Sequence, residues 1–125
     1  MDENEIGERI LDGAFKVHKA LGPGLLESTY EACLAHELGK LGLEFQRQLA
    51  LPLTYDGVEI ETAYRLDLLV QKLVVVEIKS VETLAPVHRA QLLSYLKLGS
   101  FRLGYLLNFN VPLMKDGIHR LANGL

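Results

Sequence analysis

Apolar residues recur at three- and four-residue intervals through roughly the first third of the chain, then give way to the alternation and continuous runs of strands. From Glu5 to about Leu21, Ile6, Ile10, Ala14, Phe15 and Val17 fall at helical spacing, with Asn4 or Asp2 available as a cap. Gly22-Pro23-Gly24 breaks that helix, and a second pattern from Leu25 to about Leu41 carries Leu26, Tyr30, Cys33, Leu34, Leu38 and Leu41. Gly42 ends it. Leu43 to Leu49 and Leu51 to Tyr55 then read as strands, Asp56-Gly57 as a hairpin turn, and Val58 to Val70 as a continuation of the sheet. The Leu/Val-rich run from Lys72 to Ile78 predicts a buried central strand. Pro86 suits the first turn of a helix reaching about Leu98, which Gly99 stops. Phe101 to Phe109 predicts another strand and Ile118 to Leu121 a short last one. Two helices, a meander of strands, a helix and a strand describe a mixed α/β fold, a central sheet with flanking helices.

Composition narrows the setting. The 125 residues fit one domain, 1–125, and 49% hydrophobic content is enough for a core without disulfides. There is no repeat or low-complexity stretch. The one cysteine, Cys33, cannot form an internal disulfide and has no zinc motif beside it, which points to a reducing, cytoplasmic setting. No segment approaches the ~18 apolar residues of a membrane span, and the acidic start Met-Asp-Glu-Asn-Glu is the opposite of a secretory leader. A formal net charge of −3 argues against a protein that coats nucleic acid through a broad basic surface. It leaves room for an enzyme that holds one phosphate beside a metal ion.

The candidate chemistry lies between Asp67 and Lys79. Strand alternation puts Glu77 and Lys79 on one face and Ile78 on the other, and packing gives no reason for an acid and a lysine to end so apolar a strand. Asp67 precedes them on the neighbouring strand. Two converging carboxylates suit a hard cation such as magnesium or manganese, and the lysine can orient a water and offset charge on an attacked phosphodiester. Taken alone, Glu77 and Lys79 also fit a surface salt bridge. On the second helix Glu27, Tyr30 and Glu31 are neighbours, and Glu27 fits either a ligand or a helix N-terminal cap beside Gly24. On the third, His88, Gln91 and Tyr95 share one face while Leu92, Leu93 and Leu96 supply the core side. His18, one turn before the Gly-Pro-Gly break, fits a contact to the site or to a substrate phosphate, or a structural histidine. His36, His88 and His119 form no metal-spaced pair, Cys33 fits a buried small hydrophobe, and Phe101, Tyr105 and Phe109 fit the core.

Counting constrains the hairpin. Directly opposed residues of an antiparallel pair point to one face, and their numbers add to a constant set by the loop. A regular two-residue turn at Gln71-Lys72 would oppose Asp67 to Val76 and turn Glu77 away. For the two acids to share a face the sum must be even, as when Val70 opposes Val74 across three residues, or a β-bulge must intervene. Neither Gln71 nor Lys72 favours the left-handed backbone of a two-residue type I′ turn, so an odd-length loop or a bulge is expected.

Asp67, the Glu77-Ile78-Lys79 triplet and a following helix with Gln91 and Tyr95 together resemble the PD-(D/E)XK nuclease superfamily, and Gln-x-x-x-Tyr resembles its RecB-like branch. Gly24, Glu27 and Tyr30, within Gly-Pro-Gly-Leu-Leu-Glu-Ser-Thr-Tyr, match the signature of the GxxExxY proteins placed in that superfamily. The resemblance covers about residues 5 to 121 and implies a restriction-endonuclease-like core of helix, three-stranded meander, helix and strand. It implies that Asp67 and Glu77 bind a magnesium or manganese ion, that Glu27 extends toward it, and that the main-chain carbonyl of Ile78 completes the shell. Lys79 would position the attacking water, and Gln91, Tyr95 and Tyr30 would serve the substrate, as would His18. Leu66 stands before Asp67 where the family motif has proline. The implied function is metal-dependent cleavage of nucleic acid, DNA favoured, by a homodimer or within a larger assembly. The alternatives are a non-catalytic nucleic-acid- or protein-binding module of the same fold, or a structural subunit of a catalytic partner; the intact Asp67, Glu77 and Lys79 argue against a decayed site.

Overall fold

In the computed structural model, which describes residues 1–125, α1 (Glu3–Leu21) and α2 (Glu27–Lys40) precede a meander of β1 (Phe45–Tyr55), β2 (Val58–Val70) and β3 (Val74–Lys79). Next, α3 (Pro86–Gly99) leads to β4 (Leu103–Asn108), and a 3-10 turn (Met114–Gly117) leads to β5 (Ile118–Ala122). The strands form one sheet in chain order. Neighbours are antiparallel except β3 and β4, which run parallel because α3 carries the chain back along the sheet. The first helix starts at Glu3 because the Asp2 carboxylate accepts the Glu5 N–H at 2.8 Å, with Glu3 and Glu5 favouring the positive end of the helix dipole.

Each face of the sheet carries its own helices. On one, Ile6, Ile10 and Ala14 of α1 and Leu34 and Leu38 of α2 pack with Leu68, Val70, Val74, Val76 and Ile78. On the other, Leu92 and Leu96 of α3 pack with Leu66, Leu69, Val75 and Leu106. Strands covered on both faces need apolar residues at every position, which accounts for the Val run of β3 and the wholly buried β4. Gly104 lets α3 lie close: a Cβ there would come 3.0 Å from a Leu96 methyl and 3.1 Å from one of Leu92. No helix is long and apolar enough to cross a membrane.

Several boundaries differ from those read off the sequence. The two strands expected around Ala50 are one strand, and Pro52 is accommodated by irregular pairing: Leu51 opposes Tyr64 but Leu53 opposes Ile60. A proline is tolerated there because β1 is an edge strand with no outer neighbour to bond. The second helix begins at Glu27, two residues later than its apolar pattern suggested, and leaves Leu26 73% exposed at its cap. Phe15 is also exposed, since the buried stripe of α1 runs through Ile6, Ile10, Ala14 and Val17.

The hairpin between β2 and β3 has the even register. Val70 opposes Val74, with Gln71, Lys72 and Leu73 between them. Gln71 and Lys72 nonetheless take left-handed conformations (φ 53° and 59°), and the Leu73 N–H donates to the Val70 carbonyl at 3.0 Å. The cost of those two conformations is offset by Gln71, whose side-chain oxygen accepts the Glu44 N–H at 2.6 Å while its own N–H donates to the Glu44 carbonyl at 2.8 Å. Leu73 is the additional residue that makes the loop odd.

Candidate active site

Regular pairing of β2 with β3 ends at Leu68 and Val76; one step further the same register opposes Asp67 to Glu77. Side chains take over the hydrogen bonding there. The Asp67 N–H donates to Glu77 Oε2 at 2.8 Å, and the Ile78 N–H donates to Asp67 Oδ2 at 2.8 Å. Each carboxylate thus caps the main chain of the opposite strand, and the two acids are held together where the strands part.

Burial and mutual repulsion set their electrostatics. Glu77 is 5% exposed. Desolvation first, and the neighbouring Asp67 charge second, push its pKa from 4.5 to about 8, against the opposing pull of the Asp67 N–H and of Lys79. Burial also raises Asp67, helped by the charge of Glu31 and opposed by the Ile78 N–H, Gln48 and Lys79. Lys79, half-buried, ends β3. The chain after it is fixed by buried Asn108 of β4, which accepts the Val81 N–H at 3.1 Å and donates to the Val81 carbonyl at 2.9 Å.

The first strand enters the site through a kink. Arg47 opposes Leu68 and Leu49 opposes Leu66, leaving Gln48 across from Asp67, and Gln48 has φ 49°. The faces of both strands exchange at this level. Phe45 and Leu68 belong to the α1/α2 side, whereas Leu49, Leu51 and Leu66 belong to the α3 side. The Gln48 amide donates to Asp67 Oδ1 at 3.3 Å and to Glu31 Oε1 at 2.6 Å. Glu31, 6% exposed, also accepts from Arg47 Nε at 3.0 Å.

The other expected residues are dispersed. Glu27 is exposed on the lip of the same cleft, where its Oε2 accepts the Ser80 N–H at 3.2 Å. The cleft, of about 490 Å³, is lined by Glu27, Ser28, Glu31, Arg47, Gln48, Asp67 and Ile78. On the α3 side Tyr95 stacks on Tyr64 with ring centres 5.0 Å apart. Its hydroxyl is pushed up by burial first and by the charge of Glu77 second, with Gln91 opposing. Tyr30 does not reach the cleft. It is fully buried against Phe109, and its hydroxyl donates to the Gly22 carbonyl at 2.6 Å and accepts the Leu25 N–H at 3.1 Å, fixing the Gly-Pro-Gly loop. His18 bonds the Val111 carbonyl at 2.7 Å and lines a different pocket with Phe15 and Pro112.

Sequence reasoning passed over Gln48, Arg47 and Asn108 and gave Glu31 no role. Two of them carried a signal: Glu31 is an acid inside the buried stripe of Tyr30, Leu34, Ala35 and Leu38, and Asn108 is the polar member of an otherwise apolar strand. No three His, Cys, Asp or Glu side chains are arranged together so as to hold a metal ion. The donor chemistry still fits a hard cation. Magnesium takes one or two carboxylates and keeps several waters, and two adjacent acids with raised pKa values mark a place where positive charge is wanting.

A family model of the PD-(D/E)XK nuclease superfamily matches residues 4–121. Neither the curated proteins nor the solved structures contain a significant match.

Proposed function

Because the chain belongs to the PD-(D/E)XK nuclease superfamily, we propose that it is a metal-dependent nuclease whose centre is Asp67, Glu77 and Lys79. The observation that carries this reading is the reciprocal capping of Asp67, which lines an open cleft, and buried Glu77, whose carboxyl is raised to about 8 by burial and by its acidic neighbour. Few purely structural roles would retain so unfavourable a pair.

A magnesium or manganese ion held by the two carboxylates, and by the Ile78 main-chain carbonyl, would polarise the phosphodiester. In the hydrolysis a water oxygen bonds to phosphorus, the bond from phosphorus to one ester oxygen breaks, and the proton lost by water ends on the departing oxygen. Lys79 orients that water and offsets charge that develops on the phosphoryl oxygens. Gln91 and Tyr95 of α3 contact the nucleic-acid strand. DNA is the favoured substrate by the resemblance to RecB-like enzymes, and the Gly24, Glu27 and Tyr30 signature favours the GxxExxY group. Residues 1–125 then form one nuclease domain, acting in the cytoplasm, alone in a homodimer or in a larger assembly.

Incubating the purified chain with single- and double-stranded DNA and RNA, with manganese or with chelator, tests the reading. Manganese-dependent cleavage that Asp67→Ala abolishes is expected. A wild type that binds nucleic acid but cleaves none of the four substrates favours the binding-module alternative.

A further inference from the structure

We propose that two copies of this chain associate by reciprocal arm contact: the outer half of the β1–β2 hairpin of each copy lies in a groove between α1 and the loop after β4 of the other. The pairing of β2 with β3 ends at Leu68 and Val76, so by register Arg65 is level with Lys79, and residues 58–64 run on past the end of β3. Beyond that level β1 and β2 pair only with each other. Leu53 opposes Ile60 and Tyr55 opposes Val58, which puts these four on one face. An antiparallel pair with one apolar face is ordinarily covered on that side, and a lone two-stranded hairpin is marginal in water. Here Tyr55 is 69% exposed, and Val58 and Ile60 are exposed with it. From Leu53 to Glu61 the arm carries three acids, Asp56, Glu59 and Glu61, and no base, so it does not fit a nucleic-acid strand.

The complementary surface is on the same chain. A groove of about 340 Å³ has Phe15, Pro112, Leu113 and Met114 as its apolar lining, with Phe15 exposed and Leu113 57% exposed. Lys19 and Lys115, both exposed, complete it, and no carboxylate lines it. Apolar side chains among acids thus meet apolar side chains among lysines, and that charge match selects this occupant over a second arm, whose acids would repel. The groove's loop leaves β4 at Asn108, which is level with Lys79, so arm and groove lie at the same end of the sheet. A two-fold pair needs that placement to make both contacts at once and close without an open chain of copies.

Sedimentation equilibrium over a concentration series tests the proposal, with circular dichroism melts checking that each variant is folded; every substitution is at an exposed position. The wild type should be dimeric at about 0.1 mM. Ile60→Ser in the arm and Leu113→Ser in the groove should each weaken the dimer about tenfold or more. Glu59→Lys with Glu61→Lys, and separately Lys19→Glu with Lys115→Glu, should weaken it by about tenfold. The four charge changes together should return it to within about threefold of wild type. A wild type that stays monomeric, wild-type affinity in Ile60→Ser or Leu113→Ser, or a quadruple variant no tighter than either reversal alone overturns the proposal. Cleavage plays no part in the readout, so the nuclease reading stands or falls separately.

Discussion

Replacing Glu77 by glutamine should make the metal-free protein more resistant to unfolding at alkaline pH while removing its affinity for manganese. The folded carboxyl titrates at about 8 and the unfolded one near 4.5. The folded state therefore holds its proton more tightly, and the resulting stabilisation is complete below the unfolded pKa and lost as pH rises through the folded one. Each pKa unit is worth about 1.4 kcal/mol, so the full span is on the order of 5 kcal/mol. Roughly 3 kcal/mol of this disappears between pH 6 and pH 9. For a chain of this length that corresponds to a fall in Tm on the order of 10 °C. A glutamine can still accept the Asp67 N–H and has no charge to bury, so its stability should stay nearly level across the same range, apart from titrations common to both proteins.

Urea unfolding followed by circular dichroism in chelator, at intervals from pH 6 to pH 9, gives the two curves, and their difference isolates Glu77. Parallel curves would refute the argument, because they would mean that the burial of Glu77 costs nothing when it ionises. Manganese adds a second arm. A cation needs the ionised carboxylate, so added manganese should restore the wild type most strongly at the alkaline end and leave Glu77→Gln unmoved.

Lys79→Ala should fold and bind manganese as the wild type does yet lose about 10²–10³ in cleavage rate, the usual cost of removing one electrostatic contact to a transition state; equal rates would dismiss the lysine. Tyr30→Phe should lower stability by about 1–3 kcal/mol, because two loop main-chain groups lose their partner, and an unchanged denaturation midpoint would contradict that. The net charge of −3 leaves phosphate contacts to a few residues such as Lys16, Lys19, Arg89 and Lys97. The slope of log affinity against log salt should then correspond to roughly two to four phosphates, and a value of about eight or more would reveal a basic surface made by assembly.

What the sequence made legible was local. Helix periods, the Gly-Pro-Gly break and the Val-rich β3 follow from spacing within a few residues, and the mixed sheet follows from their order. Even the facing of Asp67 and Glu77 was open to parity arithmetic across a short loop, though the loop reached its odd length through left-handed Gln71 and Lys72, which propensity disfavours. Propensity lost there because contacts from Glu44, nearly thirty residues upstream, hold Gln71 in place.

The rest of the site depends on alignments between elements distant in sequence, and for these, spacing can mislead. Glu27 and Tyr30 stand in a recognisable pattern with Gly24, but the helix they share begins at Glu27 and turns Tyr30 fully inward. That rotation puts the hydroxyl of Tyr30 on the loop and gives the cleft's buried position to the residue after it, Glu31. A helix advances about 100° per residue, so residue 27 and residue 31 lie on nearly the same line, one turn apart along the axis. Which of the two meets Arg47 and Gln48 of β1 depends on where α2 lies along the sheet, where Leu34 and Leu38 pack on the strands, beyond the reach of any count within α2. Gln48 is legible only once α2 is placed, because its amide donates to the carboxylate of Glu31 on that helix.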